Sequence, residues 1–503
     1  MKNFKSLMLI PALLLVVAAC DETDLQKINE NPNEPENVNP GVLLTDATRS
    51  SMNSMVTESF LLANNIAQLS AKTLRSEVDV YNWNAFSTLW QNQYRALTDL
   101  EDAEIKAAAE GNEATEGAAV VLQSWIYYTL TMAYGDIPYT EAIGGISNDN
   151  FTPAYDTQED IFNSANGLLA ELQRAANLLA NTNGDVEGDL IYNGDAAQWE
   201  KLANALQLRI LLHLDNKQDV SAQMQAVLTK PLMTGNADNA TLEYLGAFPN
   251  DFPLFPLKQG DFDAVVMSEQ SVNVMKNYND PRLGRYARPD NIDSLRTSDD
   301  TAAIYTGAEN GAEGSCNKGG SRLGQRYYDY PSHPTTDDRA NGIIMTYTEQ
   351  ELIIAEAAQK GIAGSNPGTH YRNAIEAAMG YYNVNVGVFG WNDFNDFYTN
   401  SGVAFNNDLN QIWEQKWLAT YFHGMEPFFE VRRMTWEVNN TNGFDIGQVP
   451  FLTAPCQNVN SDVLPVRFLY PGEEQTLNSE NYDKAVSDLG GSNSQNAAIW
   501  IVE

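Results

Sequence analysis

Four histidines are the first residues to test for chemistry: His213, His333, His370 and His423. They stand far apart, without the paired spacing that puts two imidazoles on one helix face for zinc, and the chain has no Cys-x-x-Cys. His213 falls on an apolar helical face, where a hydrogen-bonded structural imidazole is the expected role. No Gly-x-Ser-x-Gly occurs, so the nucleophile elbow of the α/β-hydrolases is missing. The glycine-rich run 307–320 carries Lys318, but its spacing is not that of a phosphate loop and it reads as a flexible loop. Carboxylates are abundant, and two flanking a glycosidic bond would make an all-helical glycoside hydrolase; that separation in space is not set by spacing in the sequence. Asp261 and Asp263 could meet a calcium ion together with nearby carbonyls, or form a solvated acidic loop.

Aromatic and polar residues that fall together are better candidates for a binding surface than for catalysis. Arg75, Tyr81, Asn82 and Trp83 form one such group. An exposed indole at Trp83 would stack on the apolar face of a pyranose, while Arg75, Tyr81 and Asn82 orient hydroxyls. The alternative is that Trp83 fills the core beside Phe86 and Trp90. A second group, with Arg326, Tyr327 and Tyr328, lies in an irregular central stretch, where it either lines a site or covers the helices.

Charge narrows the ligand class. Sixty-six acidic residues face 30 basic ones, a net charge of −36, and loss of the first nineteen residues would remove Lys2 and Lys5 to give −38. Nucleic-acid binding needs clustered Lys and Arg, so it is excluded as a main function, and neutral ligands fit better than anionic ones. Cys316 and Cys456 could pair in an oxidising exterior or remain two buried thiols.

These groups must be held by a large body. Residues 1–19 have the grammar of an export signal: basic Lys2 and Lys5, an apolar run from Leu7 to Ala19 too short to span a bilayer comfortably, then Ala18-Ala19-Cys20. That ending resembles a bacterial lipobox, which implies acylation of Cys20 and a lipid anchor in the membrane. Residues 20–40 read as a Pro- and Asn-rich tether, and 41–503 as a single helical domain. Val121, Trp125, Tyr128 and Met132 form a helical stripe between Gly117 and Gly135. Phe162 to Leu179 forms another, and Trp199 to His213 a third. Thr348 and Glu351 have capping-box spacing ahead of a further helix, which Gly361 stops. A helix over about 369–379 follows, and Trp413, Trp417 and Tyr421 mark a later one. Helix pairs on short loops predict a mostly α solenoid of tetratricopeptide type, with loop-rich stretches at about 248–341 and 444–503.

Several stretches resemble one family. Tyr134-Gly135-Asp136-Ile137-Pro138-Tyr139-Thr140-Glu141-Ala142 is similar to a conserved turn of SusD/RagB-type lipoproteins of Bacteroidetes. Thr346–Glu349 leading into Ala355-Glu356-Ala357 resembles that family's Ala-Glu-Ala helix. Gln411–Arg433, with Lys416-Trp417 and Glu430-Val431-Arg432-Arg433, resembles its helix and turn, and Pro465–Pro471 with Asn478 and Asn481-Tyr482 its C-terminal signature. The likeness implies a SusD-like helical scaffold that is no enzyme. It would sit at the outer-membrane surface, bind oligo- or polysaccharide and deliver it to a SusC-like TonB-dependent transporter; peptide capture, as in RagB-like members, is the alternative. It also implies that Gly135 permits a tight turn and that Arg432 and Arg433 pair with acids or carbonyls. No cofactor is implied, calcium aside.

Overall fold

Local chemistry decides where the helices begin and end. In the computed structural model, residues 38–147, 149–291, 303–330, 339–440 and 443–503 are described. Cys20, its apolar leader, most of the tether and His333 lie outside them. α1 spans Pro40–Glu58, α2 Ser87–Glu110, α3 Glu113–Tyr134, α4 Leu168–Asn181 and α5 Ala196–Leu214. α6 spans Glu269–Asn277, α7 Tyr347–Lys360, α8 Pro367–Tyr381, α9 Leu409–Ala419, α10 Glu426–Val438 and α11 Ser479–Asp488. The Asn112 side chain accepts from Thr115 N–H at 3.1 Å and so caps α3, with Glu113 and Glu116 in the first turn where the helix dipole favours anions. Gly111 and Gly361 close α2 and α7 in the left-handed conformation.

Three sequence expectations shift. α3 begins at Glu113, so Gly117 lies inside it; a Cβ there would sit 2.8 Å from Leu179 Cγ, and the glycine lets α4 approach. The stripe from Phe162 to Leu179 is broken: a short helix Gln158–Asn163 ends before Gly167, where a Cβ would press 2.9 Å from the Ile161 carbonyl, and α4 then starts anew. The cap of α7 is Thr346, whose hydroxyl accepts from Glu349 N–H at 3.2 Å; Thr348 is already helical.

α1 packs on α2, α2 on α3, α3 on α4 and α4 on α5, which continues through α7 to α8. This is the expected mostly α architecture of stacked helix pairs. Strands are confined to two antiparallel pairs: β1 (Ser70–Lys72) with β3 (Val265–Met267), and β2 (Ala240–Leu242) with β4 (Gly342–Met345). The first stitches the irregular central stretch onto β1, and the second joins the segments that flank the stretch. Pro40–Glu503 forms one compact unit. Among the described residues no helix is long and apolar enough to cross a membrane.

Buried ions tie the helices together. Arg209 of α5 donates to both oxygens of Glu349 at 2.6 and 2.8 Å, and His423 Nδ1 lies 3.1 Å from the same carboxylate. Glu356 receives Arg433 at 2.6 Å, Lys416 at 3.3 Å and the Trp413 indole at 2.8 Å. Glu430 also takes Lys416 and Arg433, both at 2.6 Å. Burial opposes these charges, but Arg209 and His423 outweigh it and hold the Glu349 carboxyl at about 2; Arg433 and Lys416 do the same for Glu356. His213 is the structural imidazole expected, 2.9 Å from Glu426. Arg432 instead donates to the carbonyls of Met132 and Val466, both at 2.7 Å. Arg467 and the Tyr470 hydroxyl hold the carbonyls of Tyr134 and Asp136. Gly135, at φ +90°, turns between them, and a Cβ would strike Ile499 at 2.6 Å. The four sequence stretches of the resemblance are therefore one internal frame.

Candidate ligand-binding face

The segment 73–84 leaves β1 and crosses the surface, but its rings turn inward. Trp83 is only 5% exposed, lies edge-on to Phe428 and Phe468 at 5.1 and 5.4 Å between centroids, and donates its indole N–H to the Val78 carbonyl. Tyr81 is 1% exposed. The Gln495 amide fixes both, donating to Tyr81 C=O at 2.7 Å and accepting from Trp83 N–H at 2.6 Å. Neither ring offers a face to a ligand, which corrects the expected stacking platform: Trp83 fills the core. The reason is tertiary, because the aromatic Phe428 and Phe468 that enclose it come from distant sequence. Arg75 and Asn82 are exposed. The Arg75 backbone N–H bonds the Glu313 carboxylate.

The central group is buried too. Tyr327 stacks on Phe422 at 4.3 Å, and Tyr328 on Phe262 at 4.5 Å. The Arg326 guanidinium lies 5.0 Å over Tyr382. These residues glue the loop-rich stretch to the helices; the reading in which they line a site is corrected by their burial. Asp263 is engaged by Arg322 at 3.1 Å and by the Tyr330 hydroxyl at 3.2 Å, so a cationic side chain already occupies the carboxylate proposed for calcium.

Two cavities instead lie along α6. The larger, about 580 Å³, has an apolar floor of Met275 and Leu283, with Tyr305, Phe389 and the 55% exposed Ile304 on its walls. Lys276, Asn279 and Asp280 add polar groups. They are pre-set. Lys276 donates to Tyr305 C=O at 3.3 Å, Asn279 Nδ2 to Phe389 C=O at 2.6 Å, and the Trp391 indole to Asn279 C=O at 2.9 Å. Asp280 is clamped by Arg282 at 2.6 Å. The smaller cavity, about 270 Å³, begins at Glu269 and Gln270 at the other end of α6 and is walled by Glu309, Asn310 and Thr453. Segment 303–310 runs past both.

Cys316 and Cys456 form a disulfide at the rim of the smaller cavity, with Cα atoms 6.0 Å apart. Gly311 lies against Cys456, where a Cβ would meet the Cys456 carbonyl oxygen at 2.2 Å; only glycine fits. The sequence reading missed Tyr305 and Phe389. The available signal was a ring flanked by glycine, Gly387-Val388-Phe389-Gly390, which marks a turn that presents a side chain.

Comparison with known proteins agrees with this architecture. A family model described as starch-binding and associating with the outer membrane matches residues 32–471. No curated protein matches. Among solved structures, an outer-membrane protein of Bacteroides vulgatus, described with nutrient binding as its expected role, is 26% identical. It superposes with a TM-score of 0.75 over 93% of this chain and 100% of its own. A SusD homologue of Bacteroides fragilis is 22% identical, with TM-score 0.76 over 93% and 100%. A chitin-binding SusD homologue of Flavobacterium johnsoniae is 18% identical, with TM-score 0.73 over 92% and 98%. With a matching family model over most of its length and this frame of helix pairs, the chain belongs to the SusD-like family.

Proposed function

We propose that this protein is a cell-surface lipoprotein, acylated on Cys20, that binds a neutral or weakly charged glycan and passes it to a SusC-like TonB-dependent barrel without catalysing a reaction. The family and the outer-membrane association of its relatives support this reading. The observation that carries it is the 580 Å³ cavity on α6, where rings and apolar side chains meet a few fixed polar groups. A sugar ring has apolar C–H faces and a rim of hydroxyls, and such a mixed cavity satisfies both. The half-buried Phe389 would contact a ring face, with Ile304 beside it, while Lys276 and Asn279 would bind hydroxyls. Arg75 and Asn82 would make outlying hydroxyl contacts. The acidic body disfavours anionic polysaccharides.

Affinity electrophoresis against a glycan panel tests the site. Phe389→Ala should lose the retention seen for the wild-type chain, since ring stacking of this kind is worth roughly 1–3 kcal/mol by analogy with base stacking. Unchanged retention on every retained glycan, with unchanged melting, would remove the cavity from the site. Peptides co-purifying with the chain would favour RagB-like capture by backbone hydrogen bonds. Release of reducing ends from any polysaccharide would overturn the non-catalytic reading. Recovery of a TonB-dependent barrel with the chain from solubilised outer membranes tests the partnership.

A further inference from the structure

A third cavity, about 310 Å³, opens on the helical body between α2, α3 and α4, and it shares no residue with the two along α6. Helical spacing builds it. Glu101 and Glu104 are three residues apart and share a face of α2, as Glu171 and Arg174 do on α4. Arg174 is over-subscribed: Glu104, Glu171 and Glu116 take its three nitrogens at 2.6, 2.8 and 3.0 Å. Glu101, exposed on its helix, makes no hydrogen bond among the described residues and adds a fourth carboxylate, so one guanidinium faces four acids. Burial, reinforced by Glu104 and only partly opposed by the shared Arg174, pushes the Glu101 carboxyl up.

A cluster of acids alone would say little. The second observation is Tyr127 of α3, which lines the same cavity and is 8% exposed. Its hydroxyl has no hydrogen-bond partner among the described residues. Its ring meets Tyr139 edge-on at 4.7 Å, giving an aromatic wall beside the carboxylates. The Tyr139 hydroxyl is already committed to the Asn166 carbonyl at 2.6 Å, which leaves Tyr127 as the open oxygen.

We propose that this cavity binds an organic ammonium group of about lysine side-chain size, with Glu101 as counter-ion, Tyr127 Oη as hydrogen-bond acceptor and the Tyr127–Tyr139 wall against the methylenes. A metal ion fits less well. It needs several oxygens converging at about 2.3–2.6 Å from one point, and these carboxylates are not among the described groups whose ligand atoms converge. Aromatic walls beside carboxylates are suited to alkylammonium ions.

Titration calorimetry of the mature chain with 1,5-diaminopentane, near neutral pH and at low salt, tests this. Saturable one-to-one binding is expected, with none to the neutral 1,5-pentanediol. Glu101→Gln should weaken it about tenfold and Tyr127→Phe about threefold, as loss of a charged and of a single hydrogen-bond partner predicts. Tyr127→Phe keeps the ring, so the fold is retained, and melting checks it. Equal binding by both variants would overturn the proposal. So would unsaturable uptake, which is general attraction to an acidic surface, or stoichiometric displacement by calcium.

Discussion

A carboxylate taken out of water must find a cation or hold its proton, and this chain does both. Glu356 is the clearest pair: Glu356→Gln leaves Lys416 and Arg433 partly uncompensated in the core. A loss of about 3–5 kcal/mol is expected from chemical denaturation. Glu58 and Asp79 behave the other way. Burial pushes both carboxyls up to about 7, with Lys72 a weaker opposing charge near each. The signs then differ. Glu349 and Glu356 stabilise the fold above the unfolded carboxyl value near 4.5 and lose that as pH falls toward about 2. Glu58 and Asp79 favour the fold while protonated, so their contribution declines as pH rises from about 4 through about 7. Melting temperature should therefore peak near pH 5, and Glu58→Gln should flatten the limb between pH 5 and 7. A monotonic rise in melting temperature to pH 8 would contradict this. Trp83→Ala should cost about 3–5 kcal/mol, the usual range for emptying a core indole site, and glycan retention should fall only as the fold fails.

At the scale of elements, the disulfide joins two irregular segments separated by 140 residues. Closing so long a loop restricts the unfolded chain, an effect worth about 2–5 kcal/mol in folded domains. Cys316→Ser with Cys456→Ser should lower the midpoint of denaturation. Faster amide exchange is expected first in 309–318 and 453–462, with α3 and α10 unchanged. Uniform acceleration across the helices would mean that the bridge secures the whole body rather than this rim. The helices were readable because their stripes and caps are local. The break at Ser164–Gly167 was not, since a glycine inside an apolar stripe is a break only when a neighbouring carbonyl crowds it, as Ile161 does.

At the scale of the whole molecule, a net charge of −36 should leave binding of a neutral glycan nearly independent of ionic strength, while diamine binding should weaken as salt rises. A comparison at 20 and 500 mM salt separates the two, and glycan affinity that falls steeply with salt would point to a charged ligand. Cys20→Ser should release the chain from the membrane fraction without changing its fold, checked by fractionation and circular dichroism.

Sequence alone determined what depends on neighbours along the chain: the lipobox-like ending, the helix stripes, the mostly α class and the motifs of the frame. Glu356, Lys416, Glu430 and Arg433 could be picked out individually, yet only folding showed that they form one buried network. The binding surface followed the same rule in reverse. From the sequence Trp83 could be a platform or core, and Tyr327 could line a site or cover the helices; Phe428, Phe468 and Phe422 arrive from far along the chain to cover them. Exposure is a property of what packs against a ring, and for these rings the packing partners are remote. The cavities along α6 are likewise gaps between distant segments, and the one between α2, α3 and α4 depends on how consecutive helices pack, so only the tertiary structure could decide where a ligand has room.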